Sequence, residues 1–313
     1  MKLQQLRCLT EVARRGLNVS EAAEALHTSQ PGVSKQIRAL EDELGVEVFV
    51  RHGKRLVSVT EPGKAVVAIA ERILAEAQNL RRAGEEFAND QLGTLTIAAT
   101  HTQARYALPK AVAAFKRRYP KVELHIHQGN PTQIREQVIA GEADMGVATE
   151  MLAVPELVTL PVYQWNRCVV VPPKHPLLKE SPLTLDKMAE YPIVTYDFAF
   201  ANRTLVQKAF ESRGLKPHVV LSAQDSDVIK TYVELGLGIG ILAKMAFDAK
   251  RDILLRAIDA SHLFESSTTR LGIKRGAYLR RYAYDFIELF APHLARNTVE
   301  RAVRGEEGSR YDL

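Results

Sequence analysis

Four side chains that form hydrogen bonds stand side by side in the sequence ATHTQARY, which covers residues 99–106. They are Thr100, His101, Thr102 and Gln103. The run before them, TLTIA, is typical of a strand, and the segment after them has the pattern of a helix. Side chains of these types at such a junction suit catalysis, a metal site, the binding of a small polar or anionic ligand, or the capping of the helix.

Catalysis and metal binding are the less favoured of these uses. The sequence has no G-x-S-x-G nucleophile motif, and Thr100 and His101 are neighbours on a predicted strand end, so their side chains point to opposite faces. His125 and His127 alternate on one face of another predicted strand and, with His101, would make a three-histidine zinc site. Histidines are common on half-exposed strands, however, and we expect no enzyme, no metal and no cofactor.

A small polar or anionic ligand remains the main alternative to simple helix capping. Thr100, Thr102 and Gln103 are neutral donors, which would let a charged ligand enter and leave without a tight ion pair. Thr100 and Thr102 alternate by two, so we predict that their side chains share a face from which His101 points away. Thr149 ends another predicted strand, ADMGVAT, and parallel sheets bind ligands at the carboxyl ends of their strands.

The composition is ordinary for a globular protein, with 46% hydrophobic and 25% charged residues in a chain of 313. That length predicts two or more domains. A net charge of +5 permits a polyanion as partner without requiring one. Cys8 and Cys168 stand in apolar surroundings, so we expect buried thiols in a reducing cytosol. With neither a secretory signal nor a run of about 18 apolar residues, a cytoplasmic protein without a membrane span is predicted.

The first part of the chain has the pattern of a helix-turn-helix. Helices are predicted at about 3–15, at SEAAEALH after a cap at Asn18 or Ser20, and at about 30–44. One face of the third helix is apolar, and the other has polar and basic side chains of the types that contact bases and phosphates in a major groove. That face is equally compatible with an ordinary solvated helix surface. The predicted DNA contacts of this region are Thr28, Ser29, Gln30, Ser34, Lys35 and Arg38.

A hairpin and a long helix are predicted next. Two strand-like runs in VEVFVRHGKRLVSVT flank a turn, and the basic residues Arg51, Lys54 and Arg55 at its tip suit contacts with phosphates. The helical segment that then runs to about Ala88 has one narrow apolar seam, which predicts pairing with a second copy of the chain. The seam consists of Val66, Ile69, Ile73, Ala77 and Leu80.

From Gly93 onwards, predicted strands alternate with predicted helices, which is typical of parallel α/β sheets. The strands include TLTIAAT, VELHIHQ, ADMGVAT, RCVVVPP, PIVTY and HVVLSAQ, and the helices include ALPKAVAAFKRRYP, PTQIREQVIAG, LVQKAFESRG and DVIKTYVELG. Gly236, Gly238 and Gly240 form G-x-G-x-G between a helix and a strand, the reverse of the order in a dinucleotide site. Close packing at a helix end explains these glycines better.

Several of these stretches resemble one known family. The runs LQQLRCLTEVARR, SEAAEALHTSQPGVSKQIRALEDELGVEVFVR and VTEPGK resemble the winged helix-turn-helix of the LysR-type transcriptional regulators. The runs ATHTQARYALP, HQGNPTQI and TYVELGLGIG resemble the CysB subgroup of that family, which governs sulfur assimilation in bacteria. The similarity extends over essentially the whole chain.

The resemblance implies an α+β protein in three parts. These are a winged helix-turn-helix DNA-binding domain (1–60), a dimerising linker helix (61–90) and a two-lobed α/β effector domain (91–313) similar to periplasmic binding proteins. Lobe I would comprise about 91–162 and 268–295, and lobe II about 163–267. The chain would cross between the lobes near Leu160–Tyr163 and near Ser266–Leu271.

The resemblance also implies an activator of sulfur-assimilation or sulfonate-use genes. It would bind an interrupted palindrome in double-stranded DNA as a homodimer or homotetramer, with RNA polymerase as a further partner. Its small anionic or polar effector would be O- or N-acetylserine, sulfate or a related metabolite, in a pocket lined by Thr100, Thr102, Gln103, Thr149, Trp165 and Asn202. Asn202 stands where the subgroup often has threonine, which adds volume. The alternatives are a regulator of an unrelated catabolic pathway and a solute-binding protein of transport.

Overall fold

The computed structural model describes residues 1–53, 55–88, 92–149, 154–197 and 201–306, without the side chains of residues 85, 88 and 201–204. The chain forms two compact units, Met1–Glu85 and Glu86–Leu313. Each unit buries apolar clusters of its own. None of the described helices is long and apolar enough to cross a membrane.

The first unit is a winged helix-turn-helix followed by a long helix, as the sequence predicts. Its elements are α1 Leu3–Arg14, α2 Val19–Ala25, α3 Gln30–Leu44, β1 Phe49–His52, β2 Arg55–Val59 and α4 Glu61–Ala88. Asn18 begins α2, because its side chain accepts the N–H groups of Ser20 and Glu21 at 3.1 and 3.2 Å. Gly45 follows α3 in the left-handed conformation (φ 65°), which glycine adopts without strain.

The apolar seam predicted on α4 is wrong in part. Val66 and Ile73 pack against the core that α1, α2 and α3 form, whereas Ile69 and Leu80 are exposed. Val66 and Ile73 are two helical turns apart and therefore face the same neighbours. Leu80 lies two turns further along α4 and is left uncovered in this unit. The seam thus divides into side chains that complete the core and side chains that remain available for a partner.

The second unit contains two five-stranded sheets, which we call lobe I and lobe II. Lobe I has strands β3 Gly93–Ala99, β4 Val122–Gln128, β5 Met145–Ala148, β6 Leu157–Trp165 and β12 Ser267–Lys274, in the order β4-β3-β5-β12-β6. Its helices are α5 Leu108–Arg118, α6 Pro131–Ala140, α10 Arg281–Phe290 and α11 Arg296–Arg304. Strand β3 is parallel to β4 and β5, and β12 runs antiparallel between β5 and β6. The carboxyl ends of β3, β5 and β6 therefore lie at one edge.

Lobe II repeats the alternation of strands and helices. Its strands are β7 Arg167–Val171, β8 Ile193–Tyr196, β9 Val219–Ala223, β10 Ile239–Ala243 and β11 Arg256–Asp259, in the order β11-β7-β10-β8-β9. Its helices are α7 Leu185–Ala189, α8 Ala201–Glu211 and α9 Ser226–Glu234. Two of the three glycines after α9 pack closely: a Cβ at Gly238 would lie 2.2 Å from the Pro192 carbonyl oxygen, and one at Gly240 would lie 2.6 Å from Val170 Cγ2. The packing interpretation of G-x-G-x-G is therefore confirmed at Gly238 and Gly240, whereas a Cβ at Gly236 would have nothing within 4 Å and this glycine adopts a φ of 82° at the end of α9.

The boundaries of the lobes differ from the predicted ones at two places. Strand β6 pairs with β12 as far as Trp165↔Ser267, so the first crossover lies after Trp165 and not near Leu160–Tyr163. A shift in register between Thr269 and Arg270 lets the two strands stay paired over this length. Lobe I also extends beyond residue 295, because Val299 and Val303 of α11 belong to its core.

Both cysteines are buried free thiols, as predicted. Cys8 lies in the core of the first unit, and Cys168 lies on β7. Burial raises the pKa of the Cys168 thiol to about 12 and also raises the pKa of the Cys8 thiol. Both groups therefore stay protonated at neutral pH, which makes them unreactive.

Candidate functional site

The run ATHTQARY adopts helical backbone earlier than predicted. Strand β3 ends at Ala99, and helical backbone begins at His101. Gln103–Ala107 form one π-helical turn, a rare conformation that is frequent at functional sites, and α5 follows it. The strand-type alternation predicted for Thr100, His101 and Thr102 is therefore wrong, because successive helical side chains are about 100° apart.

Gln103 anchors this π turn to the sheet of lobe I. Its side chain is 1% exposed. The amide Nε2 donates a hydrogen bond to Thr269 Oγ1 on β12 (3.0 Å), and the amide oxygen accepts one from the Tyr163 hydroxyl on β6. Both ends of the amide are thus used inside the protein. Gln103 positions the residues around it, and its predicted direct contact with a ligand has no support in this geometry.

Thr100 and Thr149 lie together at the carboxyl edge of lobe I. Ala99 pairs with Val147 in the parallel ladder of β3 and β5, and the Thr100 N–H donates to the Val147 carbonyl at 3.3 Å. Thr149 follows directly after β5. Within the described part of the chain, neither threonine hydroxyl forms a hydrogen bond. The structure therefore brings these two predicted residues together with their hydroxyl groups unused.

Trp165 lies at the same edge, at the end of β6. Its side chain is 7% exposed, and its indole Nε1–H has no acceptor among the described residues. The Arg167 guanidinium carbon lies 5.2 Å from the centre of the Trp165 ring, at cation–π distance. A buried N–H without an acceptor is costly, so a ligand oxygen at this point would relieve it. Asn202 lies in the first turn of α8, and its side chain is outside the described residues.

Thr102 contacts lobe II, unlike Thr100 and Thr149, which lie at the carboxyl edge of lobe I. Its hydroxyl lies 3.3 Å from the Ser226 hydroxyl, at the first residue of α9. The Ser226 hydroxyl is in turn 2.7 Å from the Tyr196 hydroxyl, which accepts the Ala243 N–H at 3.3 Å. A chain of hydroxyl groups thus runs from the π turn into the core of lobe II.

His101, Arg105 and Tyr106 also reach across to α9, where they meet Asp227. The Tyr106 hydroxyl donates to Asp227 Oδ1 at 2.7 Å, Arg105 Nε donates to Oδ2 at 2.7 Å, and His101 Nε2 lies 3.5 Å from Oδ2. Burial raises the pKa of the Asp227 carboxyl, but hydrogen bonds from Tyr106 and Lys230 outweigh this, so the pKa is lowered overall. The carboxylate therefore stays charged at neutral pH.

A metal would compete poorly at this point. In the described ranges, the ligand atoms of His101, Asp225 and Asp227 lie within 4.8 Å of one another, whereas His101, His125 and His127, the disfavoured zinc site of the sequence, do not form a ligand group. Asp225 already accepts the N-terminal N–H of Val228 in α9 (2.8 Å). Two cations of the chain itself, Arg105 and Lys230, already neutralise Asp227.

The predicted nucleic-acid interface lies on the outer face of α3. Thr28, Gln30, Lys35 and Arg38 are exposed, Ser34 is half-buried, and the opposite face is fully buried at Val33, Ile37 and Leu40. Ser29 is exposed and caps α3, since its hydroxyl accepts the Gly32 N–H at 3.2 Å. Arg55 of the hairpin is exposed, and Lys54 lies outside the described residues. The exposed side chains on α3 form a polar surface of the kind that enters a major groove.

Arg51 has a structural partner inside the first unit. Its Nη2 lies 2.7 Å from Glu41 Oε2, while Glu41 Oε1 accepts the N–H groups of Val48 (2.9 Å) and Phe49 (3.2 Å). Glu41 is 8% exposed and the Arg51 side chain is 29% exposed, so the carboxylate is nearly buried while its cation keeps contact with solvent. Arg51 therefore fixes the hairpin to α3, and its contact with phosphate stays a prediction.

Several residues of the site were missed by sequence reasoning. Tyr163, Ser226, Asp227 and Thr269 meet the run only through contacts between residues 60 to 166 positions apart, and Tyr106 lies in the run itself but finds its partner Asp227 121 positions away. One signal was available, since Ser226 and Asp227 open a predicted helix. Polar residues at that position are more often caps, and Asp225 does cap α9.

Comparison with known proteins agrees with this arrangement. Residues 3–64 match the family model described as bacterial regulatory helix-turn-helix protein, lysR family, and residues 88–295 match the LysR substrate binding domain. A DNA-binding winged helix and a two-lobed ligand-binding unit in this order define a one-component transcriptional regulator. The chain belongs to the LysR family of transcriptional regulators.

Individual relatives are similar over nearly their whole length. The chain is 55% identical to the HTH-type transcriptional regulator CysB of Burkholderia cenocepacia, with 100% of both chains covered. It is also 55% identical to the regulator SsuR of the same organism, covering 94% of this chain and 96% of the relative. The crystal structure of the cofactor-binding domain of the Cbl transcriptional regulator matches with a TM-score of 0.66 and 45% identity, covering 69% of this chain and 95% of that domain.

The position of Gln103 predicts that replacing it destabilises the fold. Gln103→Ala leaves the Thr269 and Tyr163 hydroxyls without their buried partner, so the free energy of unfolding should fall by about 1–3 kcal/mol in urea denaturation. Gln164→Ala, an exposed change on the same strand as Tyr163, is the matched control and should shift stability by about 0.5 kcal/mol or less. A Gln103→Ala variant as stable as this control would show that the amide serves a ligand and not the fold.

Proposed function

We propose that this LysR-type regulator activates genes of sulfur assimilation or sulfonate use in response to a small sulfur metabolite. The observation that carries the proposal is the 55% identity over the full length of both chains with a CysB regulator. The runs ATHTQARYALP and HQGNPTQI, which resemble the same subgroup, support it. Sulfate, O-acetylserine and N-acetylserine are the candidate effectors.

The carboxyl edge of lobe I, where β3, β5 and β6 end, suits the oxygen atoms of such a ligand. The unused hydroxyls of Thr100 and Thr149 and the indole N–H of Trp165 belong to residues at that edge, and all three groups are neutral donors. Helical backbone begins at His101, so free N–H groups point to the same region. The Arg167 guanidinium beyond the Trp165 ring adds positive charge without exposing a cation to the ligand. These features favour an anion held by several hydrogen bonds.

The proposed mechanism is linkage between ligand binding and the arrangement of an oligomer on DNA. A ligand that prefers one geometry of the two lobes shifts the population of assemblies towards it. Ile69 and Leu80 on α4 are exposed apolar side chains that a second copy would cover in a homodimer or homotetramer. The assembly would bind an interrupted palindrome in the cytoplasm and contact RNA polymerase.

Thermal unfolding with candidate ligands tests the effector assignment. At about 100 times its dissociation constant, a true effector should stabilise the protein by about 2.7 kcal/mol, and sulfate or an acetylserine should do so where benzoate does not. Thr100→Val keeps the shape of the side chain and removes one hydroxyl, so affinity in calorimetry should fall roughly 10-fold. Thr94→Val, an exposed change on the same strand, is the control.

Two results would contradict this assignment. Stabilisation by benzoate and by none of the sulfur compounds would place the protein in a catabolic pathway. Binding of a sulfur ligand to Thr100→Val as tightly as to the wild type would show that Thr100 only begins the helix.

The orientation of α3 predicts different roles for two arginines on DNA. Arg38 is exposed on the predicted reading face, so Arg38→Ala should cost about 1–3 kcal/mol on the operator and little on random DNA. Arg55→Ala should weaken both complexes alike and reduce the salt dependence, because a phosphate contact carries no sequence information. Fluorescence anisotropy at several salt concentrations measures both effects, and equal losses for Arg38→Ala on the two DNAs would refute base reading by Arg38.

A further inference from the structure

One carboxylate connects the π turn of lobe I to lobe II. Asp227 is the second residue of α9 and accepts hydrogen bonds from Tyr106 and Arg105, which both follow Thr100 and Thr102 in the chain. His101, beside Thr100, lies 3.5 Å from the same carboxylate. All three partners belong to lobe I and Asp227 belongs to lobe II. The contact therefore joins the two lobes next to the proposed effector site.

Lys230 holds both sides of this contact in place. It lies one turn after Asp227 on α9, and its side chain is 9% exposed. Its ammonium group lies 3.1 Å from Asp227 Oδ1 and donates to the Tyr106 hydroxyl (3.1 Å), to Asp252 Oδ1 (3.0 Å) and to the Ala246 carbonyl (3.0 Å). Burial lowers the pKa of this ammonium group, but the hydrogen bonds that it donates to Tyr106 and Asp252 more than compensate and raise the pKa overall. Lys230 is therefore charged and fixes both Asp227 and Tyr106.

The two lobes meet at two successive points along α9. Thr102 contacts Ser226, and Tyr106, one turn later, contacts Asp227. The Tyr106 ring also packs against the apolar cluster of lobe II. The two contacts involve residues one turn apart in the segment of lobe I, Thr102 and Tyr106, and adjacent residues of α9, Ser226 and Asp227. Together they restrict both the distance and the rotation of α9 relative to the π turn, whereas a single contact would leave the rotation free.

We propose that Asp227 is a positioning residue of the effector site, which holds the turn carrying Thr100 and Thr102 in one orientation through Tyr106 and Arg105. The role in effector affinity rests on the proposed function, because it requires the effector to bind at Thr100 and Thr149. The role of Asp227 in ordering the turn does not depend on the proposed function. Binding to a turn that is already ordered avoids the free-energy cost of ordering it, so loss of the carboxylate contact weakens affinity.

Three variants separate this role from general stabilisation of lobe II. Tyr106→Phe keeps the ring and removes only the hydroxyl group, which donates a hydrogen bond to Asp227. Asp227→Asn keeps the side-chain shape and removes the charge. Asp252→Asn is the matched control, since Asp252 is also a partner of Lys230 but lies with it inside lobe II.

Amide hydrogen exchange of the full-length protein without ligand measures the order of the turn. Tyr106→Phe and Asp227→Asn should each raise exchange in residues 100–108 about 10-fold, corresponding to about 1.4 kcal/mol, with global stability in urea within the range of the control. Asp252→Asn should leave that segment unchanged. The effects of the two changes should be less than additive in the Tyr106→Phe/Asp227→Asn double variant, because both weaken the contact between Tyr106 and Asp227.

Calorimetry with sulfate or N-acetylserine then tests the consequence for binding. Affinity should fall about 10-fold in Tyr106→Phe and Asp227→Asn and less than about 2-fold in Asp252→Asn. Unchanged exchange in residues 100–108 of Tyr106→Phe, or equal effects of Asp252→Asn and Asp227→Asn, would overturn the proposal. Increased exchange in a protein whose wild type binds neither ligand would refute the effector assignment and leave the ordering role established.

Discussion

A buried amide must find partners for both of its ends, and this constraint sets the geometry of the ligand-binding unit. Gln103 meets it by joining the start of a helix to two strands of lobe I, through Thr269 and Tyr163. With Gln103 fixed, Thr100 stays at the strand end while Thr102 and Tyr106 turn towards α9. One short segment therefore leaves the Thr100 hydroxyl unused at the strand end and joins the second lobe through Thr102 and Tyr106.

The DNA-binding unit relies on the same principle with a charged group. The Glu41 carboxylate is nearly buried at the end of α3 and accepts two backbone N–H groups and the Arg51 guanidinium from the hairpin. An unpaired carboxylate at this place would be strongly destabilising, so the hairpin and α3 are held in one relation. That relation decides whether the exposed face of α3 and the tip of the hairpin can contact one DNA segment together.

Local signals predicted much of the fold. The bounds of α3 follow from its apolar stripe and from Pro31 in its first turn, and the edge shared by Thr100 and Thr149 follows from the rule for carboxyl ends of strands, whereas Trp165 was expected near it only from the family resemblance. Contacts between distant residues were beyond reach: Asp227 and Tyr106 are 121 positions apart, and nothing local pairs them. The predicted alternation of Thr100, His101 and Thr102 was wrong because it required strand geometry beyond Ala99, whereas helical backbone begins at His101. Ile73 was misassigned because periodicity defines a face of α4 but not which neighbour covers it.

We propose that a ligand at the edge of lobe I changes how an assembled regulator lies on its operator. Sedimentation of the protein on operator DNA, combined with DNase footprinting, measures this directly with and without sulfate or N-acetylserine. We expect at least two chains per operator under both conditions and an unchanged mass of the complex. The length or spacing of the footprint should change when the ligand is added. A complex with a single chain, or a footprint identical with and without a ligand that binds, would contradict it.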